Sequence, residues 1–358
     1  MRSLRRSCLL PVLLLLVLLG NVRAQNLSGI HLFREEIKIT SPLGRAVLPV
    51  DSDVAIDKAH LGVTRAVIVF AGLRRNAQQY ISDVLQARAQ AGLSPYNTLV
   101  LVPQFLNEDD THLQNIPAEF LHWRGARWES GEDAVGPIAL SSYAAIDALL
   151  DYLSNHWFFP NLREVVLAGY GGGGQIVQRY AAVGHRIAAF EKSGIELRYV
   201  VSNPSSYLYL DDYRPVPVAV TGCEGFNTWK YGLRIAPSYV GAPPAADVES
   251  AYIARKVTYL LDADDEDPDR SDLDKTCAGE AEGPNRLQCG INYFQHLQSR
   301  HSTGFNQRLL LVHAANSSYR LYASACGRDA LFFATGSCKP EKAEDNREGN
   351  EGRASSTP

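Results

Sequence analysis

The stretch from residue 165 to residue 180 constrains the fold most, because an apolar run, a glycine cluster and a helical pattern follow one another directly. Residues 165–168 read Val-Val-Leu-Ala, which is typical of a strand buried in a parallel sheet. Glycine then occupies position 169 and positions 171–174. Apolar residues resume at helical spacing, at Ile176, Val177 and Tyr180. The stretch therefore predicts a buried strand that turns sharply into a helix.

Strand-like and helix-like segments alternate along most of the chain. Short apolar runs predict an antiparallel pair and several later strands, at residues 35–40, 46–50, 65–70, 98–102, 198–202, 257–261 and 307–313, with 216–220 as a further candidate. Helices are predicted at 77–88, 141–153 and 328–334, and a loop at 123–131. This alternation predicts an α/β fold, a mostly parallel twisted sheet with helices on both faces. Residues 203–250, rich in Tyr and Pro, interrupt it as either a cap or a structured loop.

The two ends of the chain are predicted to lie outside the folded domain. Arg2, Arg5 and Arg6 precede an apolar run at 9–19, and small residues follow at 22–24, so residues 1–24 predict a secretory signal peptide. A retained signal anchor is the alternative. The run is too short to span a bilayer and no later stretch of about 20 residues is apolar, so we expect an extracellular protein without a membrane span. Residues 339–358 are charged and lack aromatic residues, which predicts a disordered tail.

Residues 25–338 remain as one domain of ordinary size for an α/β fold. The formal net charge of −4 argues against a nucleic-acid partner. No sequence pattern indicates a cofactor or a metal site, so we expect neither.

Cysteines and glycosylation sequons fit an extracellular compartment. Five of the six cysteines remain after the predicted signal, and an oxidising compartment favours disulfides. The pair Cys326 and Cys338, which flanks a short helical stretch, is the first choice, and Cys223 with Cys277 is the second. This pairing leaves Cys289 free, and the alternative is that all five are buried thiols. Asn26 and Asn316 begin Asn-X-Ser sequons, so both are candidate glycosylation sites.

Position 171 stands where a catalytic turn would carry its nucleophile. Gly169 and Gly173 match the outer glycines of the Gly-x-Ser-x-Gly nucleophile elbow, which also joins a strand to a helix. The chain resembles secreted α/β-hydrolase-fold proteins related to esterases and polyester depolymerases, whose elbow commonly reads Gly-His-Ser-Ala-Gly-Gly-Gln and is followed by Gln-Arg-Tyr-Ala. The likeness covers nearly the whole mature chain and includes the segments 75–77, 169–175, 178–181, 200–207, 226–233 and 324–327. It implies the α/β-hydrolase fold.

The resemblance also places a catalytic triad and an oxyanion hole. The nucleophile position is Gly171, the acid position is Asp265, in the loop after strand 257–261, and the histidine position is Asn316, ten residues before Cys326. The oxyanion donors would be the backbone amides of Leu73 and Gly172. Two of the three catalytic side chains are therefore missing. This implies a non-catalytic protein that binds an unidentified small ligand or protein partner through the former active site.

Other readings of these residues remain open. Asp265 belongs to an acidic run at 262–269 and is either the retained acid or one more solvated carboxylate. That run lacks the glycine and terminal glutamate of a calcium loop, and the glycine run lacks the Lys-Ser/Thr of a phosphate-binding loop. His313 is either a strand-end histidine or a displaced catalytic one. An active hydrolase would then use it with Ser141, Ser142 or Ser317, and a purely structural role is the third hypothesis.

Overall fold

The structure, a computed structural model, describes residues 34–113, 116–217, 222–223, 225–333 and 338–339. The predicted signal segment, the sequon at Asn26 and all but the first residue of the predicted tail lie outside the described residues. So do positions 218–220 of the candidate strand at 216–220.

One eight-stranded sheet organises the described residues. The strands, in chain order, are β1 (Glu35–Ser41), β2 (Gly44–Ser52), β3 (Arg65–Phe70), β4 (Thr98–Pro103), β5 (Leu106–Asn107), β6 (His122–Trp123), β7 (Glu164–Tyr170), β8 (Glu196–Ser202), β9 (Lys256–Asp262) and β10 (Gln307–Val312). Their order in the large sheet is β1-β2-β4-β3-β7-β8-β9-β10, and β5 pairs separately with β6. The pairs β1–β2 and β2–β4 are antiparallel, and the remaining neighbours in the large sheet are parallel. The predicted mostly parallel sheet is confirmed.

Helices cover both faces of this sheet. They are α1 (Ala77–Gln90), α2 (Glu108–Leu113), α3 (Ser142–Leu153), α4 (Gly172–Val183), α5 (Ile187–Lys192), α6 (Ala245–Ile253), α7 (Cys277–Glu280), α8 (Arg286–Arg300), α9 (Ser318–Ala323) and α10 (Ala325–Phe332), with a 3₁₀ turn at Arg127–Ser130. In the described part of the chain, none of these helices has the length and apolar character needed to cross a bilayer.

Successive residues of the central strand β7 enter different cores, because side chains alternate across a strand. Val165 and Leu167 pack in the core that includes residues of α3, α4 and α8, whereas Val166 and Ala168 pack in the core that includes residues of α1, α9 and α10. A strand buried on both faces explains why the sequence shows an unbroken apolar run rather than alternation.

Three predictions at the level of elements need correction. The predicted loop 123–131 contains the 3₁₀ turn Arg127–Ser130, because the backbone folds back so that the Glu129 amide donates to Ala126 O at 3.0 Å. The last helix does not begin at residue 328: the Ser324 hydroxyl accepts from the Gly327 amide and starts α10 there, directly after α9 ends. Val216 and Pro217, the described part of the candidate strand 216–220, lie outside any strand. The described residues between 203 and 244 form a packed loop that buries Tyr207, Leu208 and Tyr209.

Candidate functional site

Gly171 occupies the sharp turn between β7 and α4. Its backbone angles are φ 59° and ψ −117°, a region that residues with a Cβ rarely adopt. The Gly171 amide donates to Ser202 O at 2.9 Å, and its carbonyl accepts from the Gln175 amide at 3.0 Å. The turn predicted from the glycine cluster is therefore held at both sides, by the neighbouring strand β8 and by the first turn of α4.

The glycines around position 171 are needed for a different reason, which is close backbone packing. A Cβ on Gly169 would lie 2.1 Å from Gly173 O, and one on Gly173 would lie 1.9 Å from Phe70 O. A Cβ on Gly171 would instead meet only the guanidinium of Arg286, at 3.6 Å, which is an ordinary contact. Position 171 therefore has room for a side chain that the sequence does not supply.

The two candidate oxyanion donors lie side by side. The Leu73 nitrogen is 3.3 Å from where a Cβ on Gly172 would stand, and both residues line the same cavity. Gly172 is the first residue of α4, and the first amides of a helix have no acceptor within that helix. The resemblance-based assignment of Leu73 and Gly172 thus falls on two neighbouring amides at the positive end of a helix.

Asp265 is buried rather than solvated, because the loop after β9 turns inward. Its side chain is fully buried and pairs with Arg270, whose Nη1 lies 3.1 Å from Oδ1. Arg286 Nη1 lies 3.9 Å from the other oxygen. Burial raises the pKa of the Asp265 carboxyl, and the charges of Arg286 and Arg270 oppose that effect. The reading of Asp265 as one more solvated carboxylate is wrong.

Arg270 also reaches the histidine position. Its Nη1 donates to Asn316 Oδ1 at 3.0 Å, so one guanidinium lies between the acid position and the histidine position. Asn316 has a φ of 58°, and its backbone N–H donates to Asp262 Oδ2 at 2.7 Å. The buried Asp262 carboxylate also accepts from the Ala314 amide at 3.0 Å, which fixes the loop after β10 against the loop after β9.

Arg286, the first residue of α8, covers the nucleophile position. Its side chain is 2% exposed, and its Nη2 donates to Asp272 O and pairs with Asp272 Oδ2, both at 3.0 Å. Although burial alone would raise the pKa of Asp272, the hydrogen bond from Arg270 and the charges of both arginines hold it below its usual value. Sequence reasoning missed Arg270 and Arg286, because nothing in their local spacing indicates a meeting with Gly171 or Asn316.

A cavity of about 870 Å³ opens at this point of the molecule. Its lining includes the nucleophile, histidine and oxyanion positions and the two arginines, namely Leu73, Gly171, Gly172, Arg270, Arg286 and Asn316. Asp265 lies behind this lining. The structure therefore brings together all five positions that the resemblance assigned, and adds two arginines between them.

The alternative catalytic residues have other partners. The buried hydroxyls of Ser141 and Ser142 donate to Gly131 O at 2.7 Å and to Trp128 O at 2.6 Å. Ser317 lines the cavity and caps α9 by accepting from the Arg320 amide at 3.3 Å. The His313 ring lies 2.5 Å from Asp264 Oδ1, and its side chain is 58% exposed. The hydrogen bond from His313 is the main cause that lowers the pKa of Asp264.

The cysteines pair as the sequence suggested. Cys223 and Cys277 are bonded at 2.00 Å, and Cys326 and Cys338 at 2.07 Å. Cys289 is a buried thiol on α8. The alternative of five free thiols is wrong.

Comparison with known proteins finds similarity at the level of structure. No family model matches the chain, and no curated protein does either. Among solved structures, the poly(3-hydroxybutyrate) depolymerase LpqC from Bordetella parapertussis is similar, with a TM-score of 0.59, 17% identity, and coverage of 87% of this chain and 93% of that chain. Poly(aspartic acid) hydrolase-1 from Sphingomonas sp. KT-1 has a TM-score of 0.56, 17% identity, and coverage of 83% and 97%. The chain has the α/β-hydrolase fold, as the sequence predicted.

Proposed function

We propose that this chain is a catalytically inactive protein of the α/β-hydrolase fold that binds a ligand or partner through the cavity at Gly171. We further propose that it acts outside the cell after removal of residues 1–24. The observation that carries the proposal is the position of Arg270, which contacts both Asp265 and Asn316.

Ester hydrolysis on this fold needs three side chains to act together. A hydroxyl attacks the carbonyl carbon, an imidazole takes its proton, and a carboxylate orients the imidazole. Gly171 has no hydroxyl, and Asn316 has no group that gains or loses a proton near neutral pH. Asp265, the one retained member, pairs with a guanidinium instead of an imidazole. Each of the three roles is therefore lost or reassigned.

The binding part of the proposal is supported by what remains. The cavity keeps two adjacent backbone amides, at Leu73 and Gly172, in a space that no side chain of residue 171 fills. Backbone donors survive the loss of catalytic side chains, and they suit an oxygen atom of a ligand.

The first test is hydrolysis of nitrophenyl butyrate by the purified full chain. We expect the rate with the wild-type chain to equal that of buffer. A rate that an organophosphate abolishes would contradict the proposal, because Gly171 has nothing to phosphorylate.

Restoration of the missing groups tests the role of Arg270. The variant Gly171→Ser/Asn316→His should hydrolyse the ester only slightly faster than buffer, because Arg270 still holds Asp265. Adding Arg270→Gln should raise the rate by about tenfold or more, since the carboxylate then becomes free to orient the new imidazole. A matched control adds Arg300→Gln instead, which removes an arginine paired with Glu249 in another part of the chain. Equal rates in the two triple variants would contradict the role given to Arg270.

One observation supports a second candidate function, an ester hydrolase with a displaced nucleophile. His313 and Asp264 form a pair in the loops that carry Asn316 and Asp265, and Ser317 lines the cavity. In that case the wild-type chain would hydrolyse the ester, and Ser317→Ala would abolish the rate whereas Ser142→Ala would not.

A further inference from the structure

We infer that the cavity binds a monocarboxylate, with its oxygens held between the guanidinium of Arg286 and the amides of Leu73 and Gly172. This inference names the ligand class of the site and rests on the proposed function.

Two buried donors beside the cavity have no partner within the described part of the chain. Arg286 is 2% exposed, and its Nε makes no hydrogen bond there. Tyr170 is 7% exposed and lines the cavity, and its hydroxyl is also without a partner. Buried polar groups in native proteins are nearly always satisfied by protein, water or ligand. Both groups can donate to an oxygen atom, as can the two backbone amides.

The missing side chain at position 171 leaves room for such an oxygen. A Cβ there would stand 3.6 Å from Arg286 Nη1, in the space between the guanidinium and the start of α4. With glycine, that space is open to a ligand. An arginine and a helix N-terminus that face one space form a combination suited to carboxylates, because both present N–H donors and positive charge.

The charged groups around the cavity leave no net positive charge, so the donors of Arg286, Tyr170 and the two amides must recognise the carboxylate, and a ligand with more than one negative charge is disfavoured. The positive charges of Arg270 and Arg286 are offset by Asp265 and Asp272, with which they pair. The N-terminus of α4 adds roughly half a positive charge. Asp83 also lines the cavity, and its carboxylate accepts hydrogen bonds from Gln79 and Ser318.

The rim of the cavity adds charges of both signs. The exposed carboxylates of Asp267 and Asp269 are negative, and the exposed Arg74 is positive. A dianion such as phosphate would therefore meet more repulsion than a monocarboxylate of the same size.

The test is a titration of the full chain followed by NMR at the amides of Leu73 and Gly172. The probes are butyrate, its neutral isostere butyramide, and inorganic phosphate. We expect butyrate to shift both amides in a saturable manner, with an affinity at least about tenfold higher than that of either other probe, the size of one charge-assisted hydrogen bond.

Two variants locate the binding. Arg286→Lys keeps the charge that pairs with Asp272 but loses the planar fork, and should weaken butyrate binding about tenfold. Gly171→Ala should weaken it at least as much, because its methyl group enters the ligand space. The matched control is Gly241→Ala, since Gly241 has a similar φ of 65° with nothing within 4 Å of the added Cβ. If Arg286→Lys does not fold, the comparison between Gly171→Ala and Gly241→Ala still decides.

The outcomes separate this inference from the proposed function. Equal binding of butyrate and butyramide would overturn the carboxylate assignment and leave a ligand-binding cavity. No shift with butyrate, or an undiminished shift in Gly171→Ala, would also overturn the inference. Organophosphate-sensitive ester hydrolysis by the wild-type chain would overturn the proposed function itself.

Discussion

Gly171 and Gly173 stand two residues apart in one turn, but different physical requirements keep each of them glycine. At position 171 the backbone conformation, with φ 59°, disfavours a side chain although space is available. At position 173 space is absent, because a Cβ would lie 1.9 Å from Phe70 O. A catalytic serine at such a turn accepts strain of about 1–3 kcal/mol in order to aim its hydroxyl. A chain without that need is most stable with glycine there.

This difference predicts unequal costs for two substitutions. Gly171→Ser should lower the free energy of unfolding by about 1–3 kcal/mol, the strain of the backbone alone. Gly173→Ala should cost more than about 4 kcal/mol or prevent folding, because strand and helix backbones would have to separate. Urea unfolding of the two variants, with disulfides intact, measures both costs. Similar losses in the two variants would contradict the assignment of Gly171 to conformation rather than space.

Glu282 is a buried carboxyl outside the cavity and gives a prediction of pH dependence. The residue is fully buried, and burial raises its pKa from 4.5 to about 8, against the opposing charges of Arg214 and Arg179. Its Oε2 accepts from the Tyr207 amide at 2.7 Å, whereas Oε1 has no partner among the described residues. Because the folded state holds the proton more tightly than the unfolded state, this group's contribution to stability is complete below pH 4.5 and is lost as pH rises towards 8.

We therefore expect Glu282→Gln to remove that part of the pH dependence. The variant and the wild-type chain should be close in stability near pH 5. The variant should become relatively more stable as pH rises to about 8, by on the order of 3 kcal/mol, because the amide never has to lose a proton. Urea unfolding across this range measures the difference. A difference that stays constant with pH would contradict a raised pKa at Glu282.

At the scale of elements, the sequence predicts the central strands well because they are buried on both faces. Such strands appear as unbroken apolar runs, and β3 begins and ends where its run does. Helix α8 was not predicted, although its buried residues Leu287, Gly290, Phe294 and Leu297 recur at helical spacing and the Asn285 side chain caps its start. Tertiary packing requires glycine at position 290, because a Cβ there would lie 2.5 Å from Leu261 Cδ1. The cap and the apolar stripe favour a helix locally, and Gly290 lets that helix pack closely against β9.

Some residues of the candidate site could be located before the structure, and others could not. Gly171 and Gly172 could be located from the sequence, because the turn after β7 carries its own glycine pattern, and the resemblance placed Leu73 after β3. The resemblance placed Asp265 and Asn316, and each of them follows a strand that the sequence predicts. The arginines could not, since Arg270 lies in an irregular loop and Arg286 begins the helix that was missed. Their approach to the cavity depends on how the loop after β9 folds against α8.

The two disulfides predict unequal losses on removal. Cys223–Cys277 closes a loop of 54 residues and Cys326–Cys338 one of 12. In the chain-entropy model these loops stabilise by about 4 and about 3 kcal/mol, so replacing the first pair by serines should cost more. Thermal unfolding of the two double variants tests this order. The reverse order would mean that strain or residual structure in the unfolded state outweighs loop length.

At the scale of the whole molecule, the cavity and a glycosylation sequon meet in the loop after β10. Asn316 is exposed and lines the cavity, so a glycan there would stand at its mouth. Glycosylation at Nδ2 is compatible with the site, because Oδ1 still accepts from Arg270 and one N–H remains to donate to Asp264 O. A glycan in this place would exclude bulky ligands but admit one as small as a monocarboxylate.

We therefore expect the chain expressed in a secretory host to appear in the medium, to begin at residue 25 and to carry a glycan on Asn316. N-terminal sequencing and glycopeptide mapping measure these outcomes. Ser318→Ala removes the sequon without changing Asn316 and should abolish the glycan, whereas Ser318→Thr preserves the sequon and a hydroxyl near Asp83 and should keep it. Butyrate should bind the Thr and Ala variants with similar affinity, since the glycan lies at the mouth and Arg286 at the base. Retention of the chain inside the cell, or an unmodified Asn316 in the secreted wild-type chain, would contradict this account and leave the cavity open to larger partners.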